Sequence, residues 1–590
     1  MHITKISIAG FRGIESVIEV AAPLSLIVGP NNAGKSSVID AVRTVLQPFA
    51  EGLGNRWISP SDFTRVPDGK DHREIEISIE FAGVAAHQRG RLISILAPSV
   101  AEDAARLSLH SRLAVDGRPV TRWHGGDLND NEVESIAKEA LRFIYLPALR
   151  DATADLRPGQ NNRLSNLVSA YAPPKHEDRD SLVAIMAAAN LELAKIPAIL
   201  SSARAIQTRL TGVTGRGPYA HQSSLQFSDP RYERIVSSLQ ALAGGMDPAT
   251  LAENGLGYNN LVYVSVLLAV LETENDLALN VLLVEEPESH LHPQLQTLLL
   301  QYLEQLSDTS TQVIATTHSP QFASSAKVER ITVLRPPGTN TPTTAHLLAR
   351  APLNARAFSH LRRFLDVTKS MMLFSEAVIL VEGVAELLLL PALAAREGYS
   401  LAEQGVTVVS VDGLAFDAFI SIFESGGVPI RCAVVSDSDS RAVESSDDDG
   451  DDLVWQQSHT AAALAARASD SITIHLAQRT FEWDLARANF DRPDALILAL
   501  KRVKPIVGAR IDTTTFASAD MFADALLKAV KNVKGRFAQE LADVLDTRPD
   551  LVVVVPAYLR DALTSVVGVA PPPIDASGSR FGTDETNTNG

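Results

Sequence analysis

The sequence predicts an α/β protein built from two successive α/β units, and three observations carry that reading. A glycine-rich turn, Gly29-Pro-Asn-Asn-Ala-Gly34-Lys35-Ser36, stands between an apolar strand and a helix. Short, continuous apolar runs alternate with helical stretches, the pattern of βαβ units around a parallel sheet. Several of these runs end in carboxylates, and they do so in two separate regions of the chain.

In chain order, His2–Ile8 and Leu24–Val28 read as strands, and the glycine-rich turn and a helix follow the second. Glu74–Phe81 alternates in period two, as a half-buried strand does. Arg142–Leu146 reads as a further strand. From Leu182 to Leu210 the chain is rich in Ala, Leu and Ile at helical spacing, which predicts a helical insertion at about 155–245 that packs on the core or pairs with another subunit. Val281–Val284 and Val313–Thr316 are buried-strand runs, with a helix at Pro293–Leu306 between them. A second series of strands is expected at Val378–Val381, Val406–Ser410, Cys432–Ser436, Ser471–His475 and Leu551–Val555. Glu444–Asp452 is an acidic surface loop, and the Pro-, Gly- and Thr-rich tail at 571–590 is expected to be disordered.

Composition limits the function classes. The 590 residues are 45% hydrophobic and 21% charged, too apolar for global disorder and long enough for several domains. With 53 basic and 70 acidic residues the net charge is −17, so any polyanion would have to be met by local patches or bound metals. Cys432 is the single cysteine, so no internal disulfide is possible, which fits a reducing compartment. The opening residues show no signal peptide, and no run is long and uninterrupted enough to span a bilayer. A cytoplasmic protein without a membrane partner is expected.

The glycine-rich turn matches a P-loop. Its glycines let the backbone close around phosphate oxygens, and successive N–H groups and the helix N-terminus supply donors. Gly29, Asn31, Asn32, Gly34, Lys35, Ser36 and Ser37 are therefore the candidate nucleotide-binding residues, with Lys35 on the β/γ-phosphates and the Ser36 hydroxyl on Mg²⁺. Val281–Glu286 reads as the strand that ends in the matching carboxylates. Glu285 is expected to hold Mg²⁺ through water, and Glu286 to polarise the attacking water. His318, after the next buried strand, is placed to contact the γ-phosphate or that water. The pair His290 and His292 belongs to the loop after the carboxylates rather than to a metal site.

This combination, with Phe11-Arg12-Gly13 and Glu286-Pro-Glu-Ser-His-Leu-His-Pro293, resembles the ABC-type ATPase heads of the SMC and RecF kind. The candidate for that family's signature motif, Asn254–Asn260, departs from the usual Ser-Gly-Gly form. The resemblance implies an ATP-sandwich dimer, and this departure bears on it.

In the second region Glu382-Gly383 ends a strand and Glu386 follows four residues on. Asp437-Ser-Asp439 ends another strand. Carboxylates at neighbouring strand ends make a site for hard divalent cations such as Mg²⁺ or Mn²⁺. The arrangement resembles the TOPRIM domain of topoisomerases, primases and certain nucleases. Glu482 is the candidate to complete a second metal site. Lys534, which opens a helix, is the candidate to stabilise phosphate charge, and Asp412 is a weaker acidic candidate.

An ABC-type ATPase at 1–370 followed by TOPRIM at 371–570 is similar to the OLD (overcoming lysogenization defect) family of nucleases. The resemblance implies a nucleotide-controlled DNA endonuclease or nickase, often acting in defence against phage. It implies two divalent ions held by Glu382, Glu386, Asp437, Asp439 and Glu482, and one Mg²⁺ bound with ATP. It further implies a homodimer or larger assembly and, in Gabija systems, a UvrD-like helicase partner. Two other readings stand beside it: an SMC-like ATP-driven DNA clamp with structural metal, and a repair or signalling ATPase that docks a partner through its C-terminal part.

Overall fold

The computed structural model describes residues 1–567 except 48–55, 66–72, 129–130, 149–155, 157, 160–161, 219–220, 227, 244–248, 251–254, 273–276, 308–310, 337–341, 414–415, 445–452 and 457. The tail at 571–590, Asn254 and nearly all of the acidic stretch Glu444–Asp452 lie outside the described residues.

The N-terminal region is a two-sheet sandwich. One sheet is antiparallel, in the order Ile14–Glu19, His2–Phe11, Glu74–Ala82, Ala105–Leu113, Pro119–Gly125. The other has six strands in the order Thr344–Leu347, Ile331–Arg335, Leu24–Val28, Thr311–Thr317, Leu279–Glu285, Leu141–Leu146. All of them run parallel except the edge strand Thr344–Leu347. Alternation in Glu74–Ala82 turns Ile75, Ile77, Ile79 and Phe81 inward, as the period-two pattern requires. The central parallel strands are buried along their whole length, which is why they read as unbroken apolar runs. The helix Lys35–Leu46 buries Val38, Ile39, Val42 and Val45 in the core shared by the two sheets.

Between the two sequence segments of this head lies the helical insertion. Glu177–Ala194 and Pro197–Thr214 are two 18-residue helices that bury no residue, and Ile185, Leu191, Leu200 and Ile206 are exposed on them. Among the described residues no single helix is long and apolar enough to cross a membrane.

The C-terminal region holds a four-stranded, wholly parallel sheet in the order Val406–Ser410, Ala377–Val381, Arg431–Ser436, Ile472–Leu476, surrounded by helices. The expected strand at Leu551–Val555 is not one. That segment is extended but pairs with no strand, because the Asn489 side chain takes the neighbour's place. Its amide donates to Val554 O (2.8 Å), and its carbonyl oxygen accepts from Val554 N (2.7 Å). The two regions share one hydrophobic cluster, in which Leu26 and Val313 of the head join Val378, Val409 and Val434.

Candidate functional site

The P-loop geometry depends on two glycines. Gly29 has φ +153°, and a Cβ there would stand 2.4 Å from Leu334 O. Gly34 has φ +91° and precedes the helix. Asn31 and Asn32 are exposed on the turn, Ser36 is exposed and Ser37 half-buried in the first helical turn. Lys35 Nζ donates to the carbonyls of Gly29 and Pro30, both at 2.7 Å. Burial lowers its pKa to about 8 against the pull of Glu286 and Glu288.

Strand Leu279–Glu285 delivers Glu285 buried, and burial pushes its carboxyl up to about 7 with Asp40 adding to the shift. Tyr145, from the neighbouring strand, hydrogen-bonds it. Glu286 follows in the left-handed region (φ +43°), its N–H donating to Thr316 O at 2.9 Å. That turn leaves Glu286 Oε1 3.6 Å from His318 Nε2. Burial and Lys35 lower the His318 pKa, which favours neutral imidazole. The structure thus brings Lys35, Glu285, Glu286 and His318 to one place at the C-terminal edge of the sheet, where open α/β sheets bind ligands.

Glu288 was not legible as a site residue. Its carboxylate accepts from the Thr317 hydroxyl and from the His318 amide (3.1 Å), so it fixes the His318 turn. Its presence in the Glu-Pro-Glu run was the available signal. Among the described residues His290 and His292 belong to no cluster able to hold a metal ion. Gly257, in the helix Leu256–Glu272, lies against His290 O, where a Cβ would stand 2.5 Å away, and His292 Nδ1 accepts from Gln294 N at 3.4 Å. Arg12 clamps the opening strand to Asp62 (2.7 Å) and to Asp40 (2.9 Å) of the P-loop helix.

The second site lies at the C-terminal edge of the other parallel sheet. Glu382 leaves the central strand, and its Oε2 accepts from Ser436 Oγ (3.3 Å) and Asp437 N (3.4 Å). Asp437 leaves the adjacent strand, and its Oδ1 accepts from Phe481 N (2.8 Å) at the start of helix Phe481–Ala488. Glu386 Oε2 accepts from Gly383 N (3.1 Å). Glu482 is buried on the same side and meets Lys534 Nζ at 2.7 Å. Asp439, with φ +47°, is exposed and lines a cleft of about 290 Å³ together with Glu382, Asp437, Phe416, Ser458 and Thr460. Asp412 is turned to the head, paired with Lys369 at 2.8 Å.

Burial, then Glu382, Glu386 and Glu482, push the Asp437 carboxyl up to about 8. Glu386 is raised by burial and by Glu482 and Glu382. Burial opposes the charge of Lys534, but Glu482 and Asp437 outweigh it and raise its pKa. A divalent cation fits this setting, because it would neutralise crowded, buried carboxylates, and Glu482 Oε1 is buried without a hydrogen-bond partner. Among the described residues no three acidic or histidine side chains stand close enough to hold one ion.

The crowding has a measurable consequence. Folded protein keeps a proton on Asp437 up to about pH 8, whereas the unfolded chain releases it near the ordinary carboxylate value. The folded state binds more protons in that window, so this contribution is present at low pH and is lost as pH rises to about 8. In EDTA, the Tm of the wild type is expected to fall between pH 5 and 9, with a flatter profile for Asp437→Asn. Parallel profiles would contradict the assignment.

Comparison with known proteins agrees with this layout. Residues 1–140 and 222–323 match the AAA ATPase domain family, and residues 373–439 match the overcoming lysogenization defect protein-like TOPRIM domain. The chain is 24% identical over 396 residues to the OLD nuclease of Thermus scotoductus (strain ATCC 700910 / SA-01), covering 65% of this chain and 72% of that protein. It is 23% identical over 454 residues to the Old nuclease of Escherichia phage P2, covering 70% and 73%. The solved C-terminal region of the Burkholderia pseudomallei OLD protein aligns with 25% identity, 33% of this chain, 97% of that chain and a TM-score of 0.23. Fold and site together define an ATPase head joined in one chain to a TOPRIM domain. In this arrangement the chain is similar to the OLD nucleases.

Proposed function

We propose that this protein is a divalent-metal-dependent DNA endonuclease whose ATPase head governs the TOPRIM site. The observation that carries the reading is the convergence of Glu382, Glu386, Asp437 and Glu482, with Lys534, at the ends of adjacent parallel strands. Glu382, Asp437 and Asp439 face the cleft and would hold the ions, with Glu386 and Glu482 behind them. Two ions held there would supply an activated water and counter-charge for the leaving oxygen of a phosphodiester. Lys534, kept protonated by its carboxylate neighbours, offers positive charge to the phosphate. Metal-dependent cleavage of supercoiled plasmid, compared between wild type and Asp437→Ala, tests the reading. The alternative is an ATP-driven DNA clamp whose acids hold only structural metal. ATP-dependent DNA retention without strand breaks would establish it.

In the ATPase head, Lys35 and the P-loop amides would bind the phosphates, Ser36 and Glu285 would hold Mg²⁺, and Glu286 with His318 would position water. The exposed apolar side chains of the helical insertion support a homodimer contact there. A helicase partner and a role in phage defence belong to the same reading.

Coupling between the sites is supported by their connection. Ser370 Oγ donates to Pro320 O (2.8 Å), two residues beyond His318, and Lys369 pairs with Asp412. Gly413, next to Asp412, donates its N–H to Glu382 O at 2.8 Å. Arg335 of the head also donates to Ser375 O (2.7 Å) and pairs with Glu376 (2.8 Å). Lys369→Ala is expected to shrink the effect of ATP on plasmid cleavage severalfold, while ATP turnover and nucleotide-free cleavage stay near wild type. An undiminished ATP effect would remove this connection from the mechanism.

A further inference from the structure

We propose that the helix Ala355–Phe364, which links the head to the TOPRIM domain, is a docking surface for the sugar–phosphate backbone of duplex DNA approaching the TOPRIM cleft. The inference rests on the nuclease reading above and adds where the substrate is held.

The helix is amphipathic in an unequal way. Ala357, Phe358, Leu361 and Phe364 pack against the shared hydrophobic cluster, and the Asn354 side chain caps the start by accepting from Ala357 N. The opposite face carries Arg356, Ser359, Arg362 and Arg363, all exposed. Lys327 is exposed at the start of the 3₁₀ turn Val328–Arg330 that the helix touches.

The charges there are not balanced. The acids on the two elements the helix packs against already have partners. Glu329 holds Arg362, and Asp417 holds Arg467 at 2.8 Å. The side chains of Arg356, Arg363 and Lys327 form no ion pair or hydrogen bond among the described residues. A chain of net charge −17 therefore presents a local excess of positive charge.

Position gives this excess a purpose. His360 stacks edge-on against Phe419, with ring centroids 6.0 Å apart, in the short helix Asp417–Ile420. Phe416 and Asp417, at the start of that helix, line the cleft that holds Glu382, Asp437 and Asp439. The helix that carries the basic face thus packs against a wall of the cleft, whose own carboxylates repel a polyanion. Arg356 and Arg363 are seven residues apart, about 10 Å along the axis, the span of roughly three phosphates of one strand.

The test is binding of a fluorescein-labelled 30-base-pair duplex in Ca²⁺, followed by anisotropy across a salt series. Each lost phosphate contact lowers the slope of log K against log salt by about 0.9, so Arg356→Ala/Arg363→Ala should flatten it by about two and weaken binding roughly tenfold or more near 0.15 M salt. Arg356→Lys/Arg363→Lys should keep the slope. ATP turnover should stay at the wild-type rate in both variants. A wild-type slope in the alanine variant, beside a wild type that binds and cleaves DNA, overturns this surface and leaves the nuclease reading standing. A wild type that neither binds nor cleaves DNA overturns both.

Discussion

Asp437→Ala is expected to lower metal-dependent cleavage of supercoiled plasmid by on the order of 10³-fold, with the fold intact. Three features make Asp437 the choice. Burial, then Glu382, Glu386 and Glu482, oppose the charge of its carboxylate. It is held by the Phe481 amide, so its removal does not disturb a salt bridge. It faces the cleft directly. Removing it leaves any ion with fewer ligands and also relieves repulsion. The variant should therefore be at least as stable as wild type in EDTA while losing activity. That combination separates a lost site from a lost fold. Cleavage unchanged in Asp437→Ala would place the chemistry elsewhere. Absence of cleavage in the wild type with both Mg²⁺ and Mn²⁺, alongside ATP-dependent DNA retention, would favour the clamp.

How much of this was legible follows from where the physical signal is local. The P-loop, Glu285–Glu286 and the acids Glu382 and Asp437 sit at the ends of continuous apolar strands, and both signals occupy a few consecutive residues. The pairing of Lys534 with Glu482 joins residues 52 apart, and no spacing rule announces it. Glu482 could be read as a metal ligand from its position after a strand, but not as the partner of Lys534. The strands Ala105–Leu113 and Pro119–Gly125 went unanticipated because Arg, His, Ser and Thr dilute their alternation. Leu551–Val555 misled for the opposite reason. It has strand composition, and its backbone groups at Val554 are met by a side chain 65 residues away. Glu288 was visible as a letter and hidden as a role, since its target is an amide on another strand's turn.

In the head, Glu286→Gln is expected to slow ATP hydrolysis by about 10²- to 10³-fold while leaving ATP binding near wild type, because a general base contributes in that range and phosphate contacts lie elsewhere. The structure separates the two neighbouring acids. Glu285 is buried, hydrogen-bonded by Tyr145 and pushed up to about 7, as suits a group whose charge is to be matched by a cation. Glu286 is half-buried, turned out by a left-handed backbone and faces His318. Glu285→Gln should accordingly raise the Mg²⁺ concentration needed for turnover, which Glu286→Gln should leave unaltered. Single-turnover hydrolysis with fluorescent-nucleotide binding distinguishes these outcomes. Equal losses of binding in both variants would mean that the acids act as one cluster. Glu286→Gln also arrests the head with ATP bound, so plasmid cleavage by this variant gives the sign of the coupling through Pro320, Ser370 and Lys369. Faster cleavage than without nucleotide means that bound ATP opens the TOPRIM site, and slower cleavage means that hydrolysis is what releases it.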